Sequence, residues 1–121
     1  MSLQPILVRP MLYDLELEKL PCGLPGRYVG VTMNVNQRWA QHRKGGNTGA
    51  KFCRNHRPVR IVHVRDIPFD DPHEIFRYES EYTLSVMREM ITAHGPDAWR
   101  VVRGGSMCAL NLQRPQGLDA P

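Results

Sequence analysis

Residues 27–42 hold a tyrosine, a glycine, an arginine and a histidine at spacings that place them together: Tyr28, Gly30, Arg38 and His42. Residues 27–32 read as a strand, because Tyr28, Val29, Val31 and Thr32 are aromatic or β-branched. The next residues read as a helix. Asn34 is a good N-cap, Gln37 three residues on makes a capping-box variant, and Gly45 and Gly46 mark the stop. Arg38 and His42 lie four apart, so both side chains share one helix face. A guanidinium can fork onto phosphate oxygens, while histidine and tyrosine can move protons. Strand and helix together make a compact phosphate-handling arrangement.

A carboxylate is the other ingredient, and the second long helix offers one. Asp71 caps it, Pro72 takes its first position and Glu74 completes a capping box; it should run to about Ala93 and stop at His94, Gly95 and Pro96. Ile75, Glu79, Tyr82, Val86 and Met90 then fall on one stripe, flanked by Phe76, Met87 and Ile91. Glu79 is the anomaly in an otherwise apolar row, and a carboxylate is seldom buried without a partner, a metal or a function. Glu81 lies off the stripe near Arg77 and Arg88, where a solvated ion pair is the plain reading. Each site residue has an ordinary reading when taken alone. Tyr13 and Tyr28 suit core-edge tyrosines, Arg38 and His42 a solvated helix face, and Glu79 an ion pair with Arg38. Cys53 and His56 make only half of a zinc site, with no second pair at the right spacing.

These residues need elements to hold them. Residues 11–18 alternate, with Met11, Tyr13, Leu15 and Leu17 facing one way and Leu12, Asp14, Glu16 and Glu18 the other, which predicts a half-buried strand. Residues 21–26 are rich in turn formers, so this strand and the one from Arg27 should form an antiparallel hairpin. Residues 45–58 read as a polar stretch. In and beside it lie Lys44, Lys51, Arg54 and Arg57, suited to tracking a nucleic-acid backbone, with Phe52 among them, better suited to packing than to stacking on a base. Residues 59–64 are a third strand. Residues 99–105 fit a last short strand or a loop packed on the sheet, and the chain from Leu110 on reads as frayed.

At 121 residues and 41% hydrophobic content the chain should form one globular domain, with residues 1–10 and 110–121 peripheral. Its net charge of +4 is compatible with a polyanionic partner. There is no run of apolar residues long enough for a membrane span and no signal-peptide pattern at the start, so no membrane partner is expected. Three widely spaced cysteines make no disulfide framework, which suits a reducing cytoplasm.

Tyr28-Val29-Gly30 followed by Arg38 and His42 resembles the second half of the GIY-YIG nuclease core, and the resemblance extends over about residues 11–105. Met11-Leu12-Tyr13 takes the place of the first motif, keeping its tyrosine without the usual Gly-Ile. Glu79 matches the family's metal-binding glutamate. Val102-Arg103-Gly104-Gly105 is similar to a sub-branch of stand-alone members ending in Val-Arg-Gly-Gly, with Val101 where several of them have Asn. The resemblance implies an α/β (α+β) fold, with a small antiparallel or mixed three-stranded sheet flanked by helices in the order β-β-α-β-α. It implies a metal-dependent endonuclease acting on DNA through Tyr13, Tyr28, Arg38, His42 and Glu79, with one Mg²⁺ or Mn²⁺ on Glu79 and either tyrosine as base. Cutting both strands with one site requires a homodimer or two visits. The alternative is a nucleic-acid-binding module that keeps the fold without cleavage.

Overall fold

The computed structural model describes residues 9–44 and 51–119. Its elements are β1 (Met11–Lys19), β2 (Pro25–Thr32), α1 (Val35–Lys44), α2 (Lys51–Asn55), β3 (Pro58–Asp66), α3 (Pro72–His94) and β4 (Val102–Gly104), with short 3₁₀ turns at Ala98–Val101 and Gln116–Asp119. The fold is mixed α+β: four strands in the order β3-β1-β2-β4, flanked by three helices.

β1 lies inside the sheet, antiparallel to both neighbours, with Tyr13 opposite Gly30 on β2 and Val64 on β3. β4 adds a fourth strand to the three expected. It runs parallel to β2 through the pairs Arg27–Val102, Tyr28–Arg103 and Val29–Gly104. A three-residue strand lacks the alternation that would announce it in sequence. The parallel pairing requires the long crossover that α3 supplies.

β1 is not half-buried. Leu12, Tyr13, Asp14, Leu15 and Leu17 are all buried, because both faces of the sheet are covered. On one face, α3 and the following turn pack Val86, Met87, Met90, Trp99 and Val101 against Leu12 and Val29. On the other, α1 and α2 cover Tyr13, Leu15, Leu17 and Tyr28, with Phe52 and Cys53 buried and Trp39 partly buried. Asp14, fully buried, is held by a bidentate pair with Arg27 at 3.0 and 2.5 Å, and the Tyr82 hydroxyl donates to it at 3.0 Å. The pair satisfies a charge that polar patterning alone would send to water.

Capping follows the sequence closely. Asn34 Oδ1 accepts from the Gln37 amide at 3.1 Å, and Asp71 Oδ1 accepts from His73 at 3.2 Å. Gly45 and Gly46, the expected stop of α1, lie outside the described residues. So does the side chain of Lys51. α2 is an additional helix in the stretch read as polar connection; its Phe52 is 5% exposed, so it packs as the sequence favoured. The tail is not frayed up to Asp119. Arg88 donates to the carbonyls of Leu118 and Gly117, and Arg103 to those of Ala109 and Leu110. These arginine–carbonyl bonds have no periodic signature. No described helix is long and apolar enough to cross a membrane.

Candidate active site

Tyr13 and Tyr28 sit on adjacent strands and on the same sheet face, under α1. Tyr13 is diagonal to Tyr28 because its direct partner is Gly30. That glycine is required sterically: a Cβ there would run into the Tyr13 phenol. His42 comes down from α1 onto the pair and is fully buried. Its Nε2 is 2.8 Å from the Tyr13 hydroxyl. The Tyr28 ring meets the imidazole edge-on at 5.3 Å between centroids, and the two tyrosine rings are 6.2 Å apart. Arg38, one helical turn before His42, is half-buried; its Nη1 donates to Gln41 at 2.9 Å. Its positive charge acts on the Tyr13 hydroxyl and opposes the rise in that phenol's pKa.

Burial sets the protonation states. It drives the His42 pKa down to about 4, with the nearby Arg38 charge pushing the same way, so the imidazole is neutral at pH 7. A neutral ring hydrogen-bonded to a phenol through Nε2 serves as acceptor when its proton is on Nδ1. Tyr13 is pushed up to about 12 by burial, partly offset by the hydrogen bond and charge of Arg38. Tyr28 is raised further, by burial first and by the Tyr13 charge second. Neither phenol ionises on its own near neutrality.

Glu79 reaches the same end of the sheet from α3. It is half-buried, and its Oε1 accepts the Gly105 amide at 3.1 Å, just past β4. Burial raises its pKa, with the Gly105 amide opposing. Its negative charge adds to the rise in the pKa of both Tyr13 and Tyr28. Among the described residues, no group of three or more His, Cys, Asp or Glu side chains could cage a metal ion. That donor set still fits Mg²⁺ or Mn²⁺, which keeps several waters and takes one or two carboxylates alongside substrate phosphate oxygens. A cation at Glu79 would also relieve the cost of burying its charge.

Five expected site residues therefore converge: Tyr13, Tyr28, Arg38, His42 and Glu79. The expected backbone-tracking residues are more scattered. Lys44 and Arg54 are exposed on α1 and α2, on the helical side of the sheet that covers the tyrosines. Arg57 is exposed at the far end of β1, its amide bonded to Glu18 Oε1, about 17 Å along the strand from Tyr13. Glu81 makes the exposed pair with Arg77, at 3.5 Å, that its place off the stripe suggested. Cys53 is buried and its thiol is pushed up to about 12 by burial. Sequence reasoning missed the Gly105 amide beneath Glu79, although the paired glycines after Arg103 were a visible sign of a special turn.

Comparison with known proteins points the same way. A sequence model of the GIY-YIG catalytic domain matches residues 24–85. A UPF0213 protein of Syntrophus aciditrophicus is 38% identical over 45 residues, which is 37% of this chain and 51% of that protein. A UPF0213 protein of Cupriavidus necator is 34% identical over 62 residues, 51% of this chain and 63% of that protein. The chain thus spans between half and two thirds of the curated relatives it matches. No solved structure matches the chain at a significant level.

Proposed function

The chain belongs to the GIY-YIG catalytic domain family, a family of nucleases, and on that footing we propose that it is a metal-dependent endonuclease that hydrolyses DNA phosphodiester bonds. The observation that carries this reading is the 2.8 Å contact between the Tyr13 hydroxyl and His42 Nε2. It supplies a proton path where neither phenol alone is a usable base at pH 7.

In this mechanism the Tyr13 oxygen takes a proton from the attacking water as its own proton passes to Nε2 of neutral His42. The phenolate is never formed as a free species, so the raised Tyr13 pKa is not an obstacle. The water oxygen bonds to phosphorus, the bond from phosphorus to the leaving oxygen breaks, and that oxygen is protonated from solvent. Arg38 donates to the non-bridging oxygens, where charge accumulates. Tyr28, neutral at every working pH, holds the imidazole edge-on and so fixes its tilt toward Tyr13. Glu79 would hold one Mg²⁺ or Mn²⁺, which supplies charge neutralisation at the phosphate and leaving oxygen. Lys44, Lys51, Arg54 and Arg57 are assigned to the DNA backbone, a sequence-independent role.

The test is cleavage of labelled duplex, branched and single-stranded DNA with Mg²⁺ or Mn²⁺, against EDTA. Nicking that EDTA abolishes and added metal restores is the expected result. Salt-dependent binding to all three substrates without cutting would replace this reading with the non-catalytic nucleic-acid module.

A further inference from the structure

Among the described residues, no other side chain hydrogen-bonds or ion-pairs with the Glu79 carboxylate. Among the described residues its hydrogen bond comes from a backbone amide, that of Gly105, at 3.1 Å to Oε1. Gly105 sits in the turn 104–107 at the end of β4, at φ 55, a conformation side chains disfavour. A Cβ at Gly105 would lie 2.6 Å from Ser80 Oγ and 3.0 Å from both Ser80 Cα and Ser80 N. The turn is therefore pressed directly against the backbone of α3 at the residue next to Glu79.

The same turn is tied down on each side of Gly105. The Ser106 amide donates to Ser80 Oγ at 3.2 Å, and the Ser80 hydroxyl is 3.3 Å from that of Ser106. The Met107 amide donates to the Gly104 carbonyl at 2.8 Å, and the Gly104 amide to the Met107 carbonyl at 3.1 Å. Before the turn, the buried Arg103 guanidinium donates to four backbone carbonyls, those of Arg100, Val102, Ala109 and Leu110. A loop built only to connect would not need an arginine buried at its base and a glycine packed on a helix at its tip.

We propose that the turn 104–107 is a positioning device for the Glu79 carboxylate, with Gly105 as the positioning residue. Its amide fixes Oε1 and leaves Oε2 for a ligand. Glu79 then offers one oxygen to a ligand, the monodentate mode that suits a small cation keeping its waters. The assignment of a cation to Glu79 rests on the proposed function; the positioning of the carboxylate does not.

The experiment is amide hydrogen exchange by NMR on the full chain. Glu79→Ala should speed exchange at Gly105 by about tenfold, the loss of one hydrogen bond to a charged acceptor. Exchange at Ser106, whose amide is held by Ser80, should change little. Unaltered exchange at Gly105 would overturn the proposal. Titration with Mn²⁺, followed by broadening of the Gly105 resonance and by electron paramagnetic resonance, separates the two ideas. Gly105→Ala should lower Mn²⁺ affinity by about tenfold, as loss of an orienting group around a metal ligand does. If Gly105→Ala does not fold, the exchange comparison decides alone. Faster Gly105 exchange in Glu79→Ala, with Mn²⁺ bound equally by wild type and Glu79→Ala, upholds the positioning and refutes the cation.

Discussion

At the scale of single residues, the account turns on a histidine kept neutral so that it can receive a proton. His42 titrates near 6.5 in an unfolded chain and about 4 when folded. The unfolded state therefore binds the proton first as pH falls. Folding stability from this residue is complete above the unfolded value and is lost as pH drops from 6.5 through about 4, by roughly 3 kcal/mol. Urea unfolding at a series of pH values should show that slope, and His42→Gln should flatten it. For activity, Glu79 protonates before His42 because burial raises its pKa while it lowers that of His42. Cleavage should fall on the acid side first through Glu79. Tyr13→Phe removes the relay oxygen and should lower kcat by about 10²- to 10⁴-fold with DNA affinity unchanged. Tyr28→Phe keeps the ring against His42 and should cost far less. Equal losses in the two variants, read by single-turnover kinetics, would move the base to Tyr28. The grouping of these residues was expected from the spacing of Tyr28, Arg38 and His42, from Glu79 on an apolar stripe and from the family resemblance, although each residue alone had an ordinary reading. Their protonation states were not, because they come from burial contributed by α2 and the turn after β4.

At the scale of elements, the hairpin β1–β2 sets the tyrosines on one face and α1 brings His42 onto them. Gly30 is the hinge of this arrangement, since its missing side chain is the space the Tyr13 phenol fills. Gly30→Ala should displace Tyr13 and destabilise the fold by about 1–3 kcal/mol, the usual cost of overpacking. Thermal unfolding measures the second effect, and loss of the Tyr13–His42 contact would show in the His42 titration. Strands and long helices were readable from period and caps: β1, β2, β3, α1 and α3 lie within a few residues of where alternation, Asn34, Asp71 and Gly95 place them. α2 was not readable, since five residues are too few to show a period, while β4 falls within residues 99–105, where a short strand or a packed loop was expected. The burial of Asp14 was also hidden. Its partners Arg27 and Tyr82 are distant in sequence, and nothing in the alternation of β1 shows that both sheet faces are covered.

At the scale of the whole molecule, exposed basic side chains among the described residues stand on helices, as Lys44 and Arg54 do, and on β3, as Arg60 and Arg65 do. Arg54→Ala and Arg57→Ala should weaken DNA binding similarly for all sequences and reduce the salt slope by about one counterion each. A sequence-dependent loss would mean that these side chains read bases instead. The Tyr82 bond to Asp14 ties α3 to the sheet, and Arg88 and Arg103 tie the tail to α3 and β4, so the core fixes the helix that carries Glu79. The most direct measurement of the central claim compares Glu79→Ala with wild type for nicking rate and DNA affinity, on one substrate in one Mg²⁺ buffer. Nicking should fall by about three orders of magnitude, in the range of a lost transition-state contact, while affinity holds. Nicking at the wild-type rate would contradict that claim, removing Glu79 from the chemistry and the metal with it.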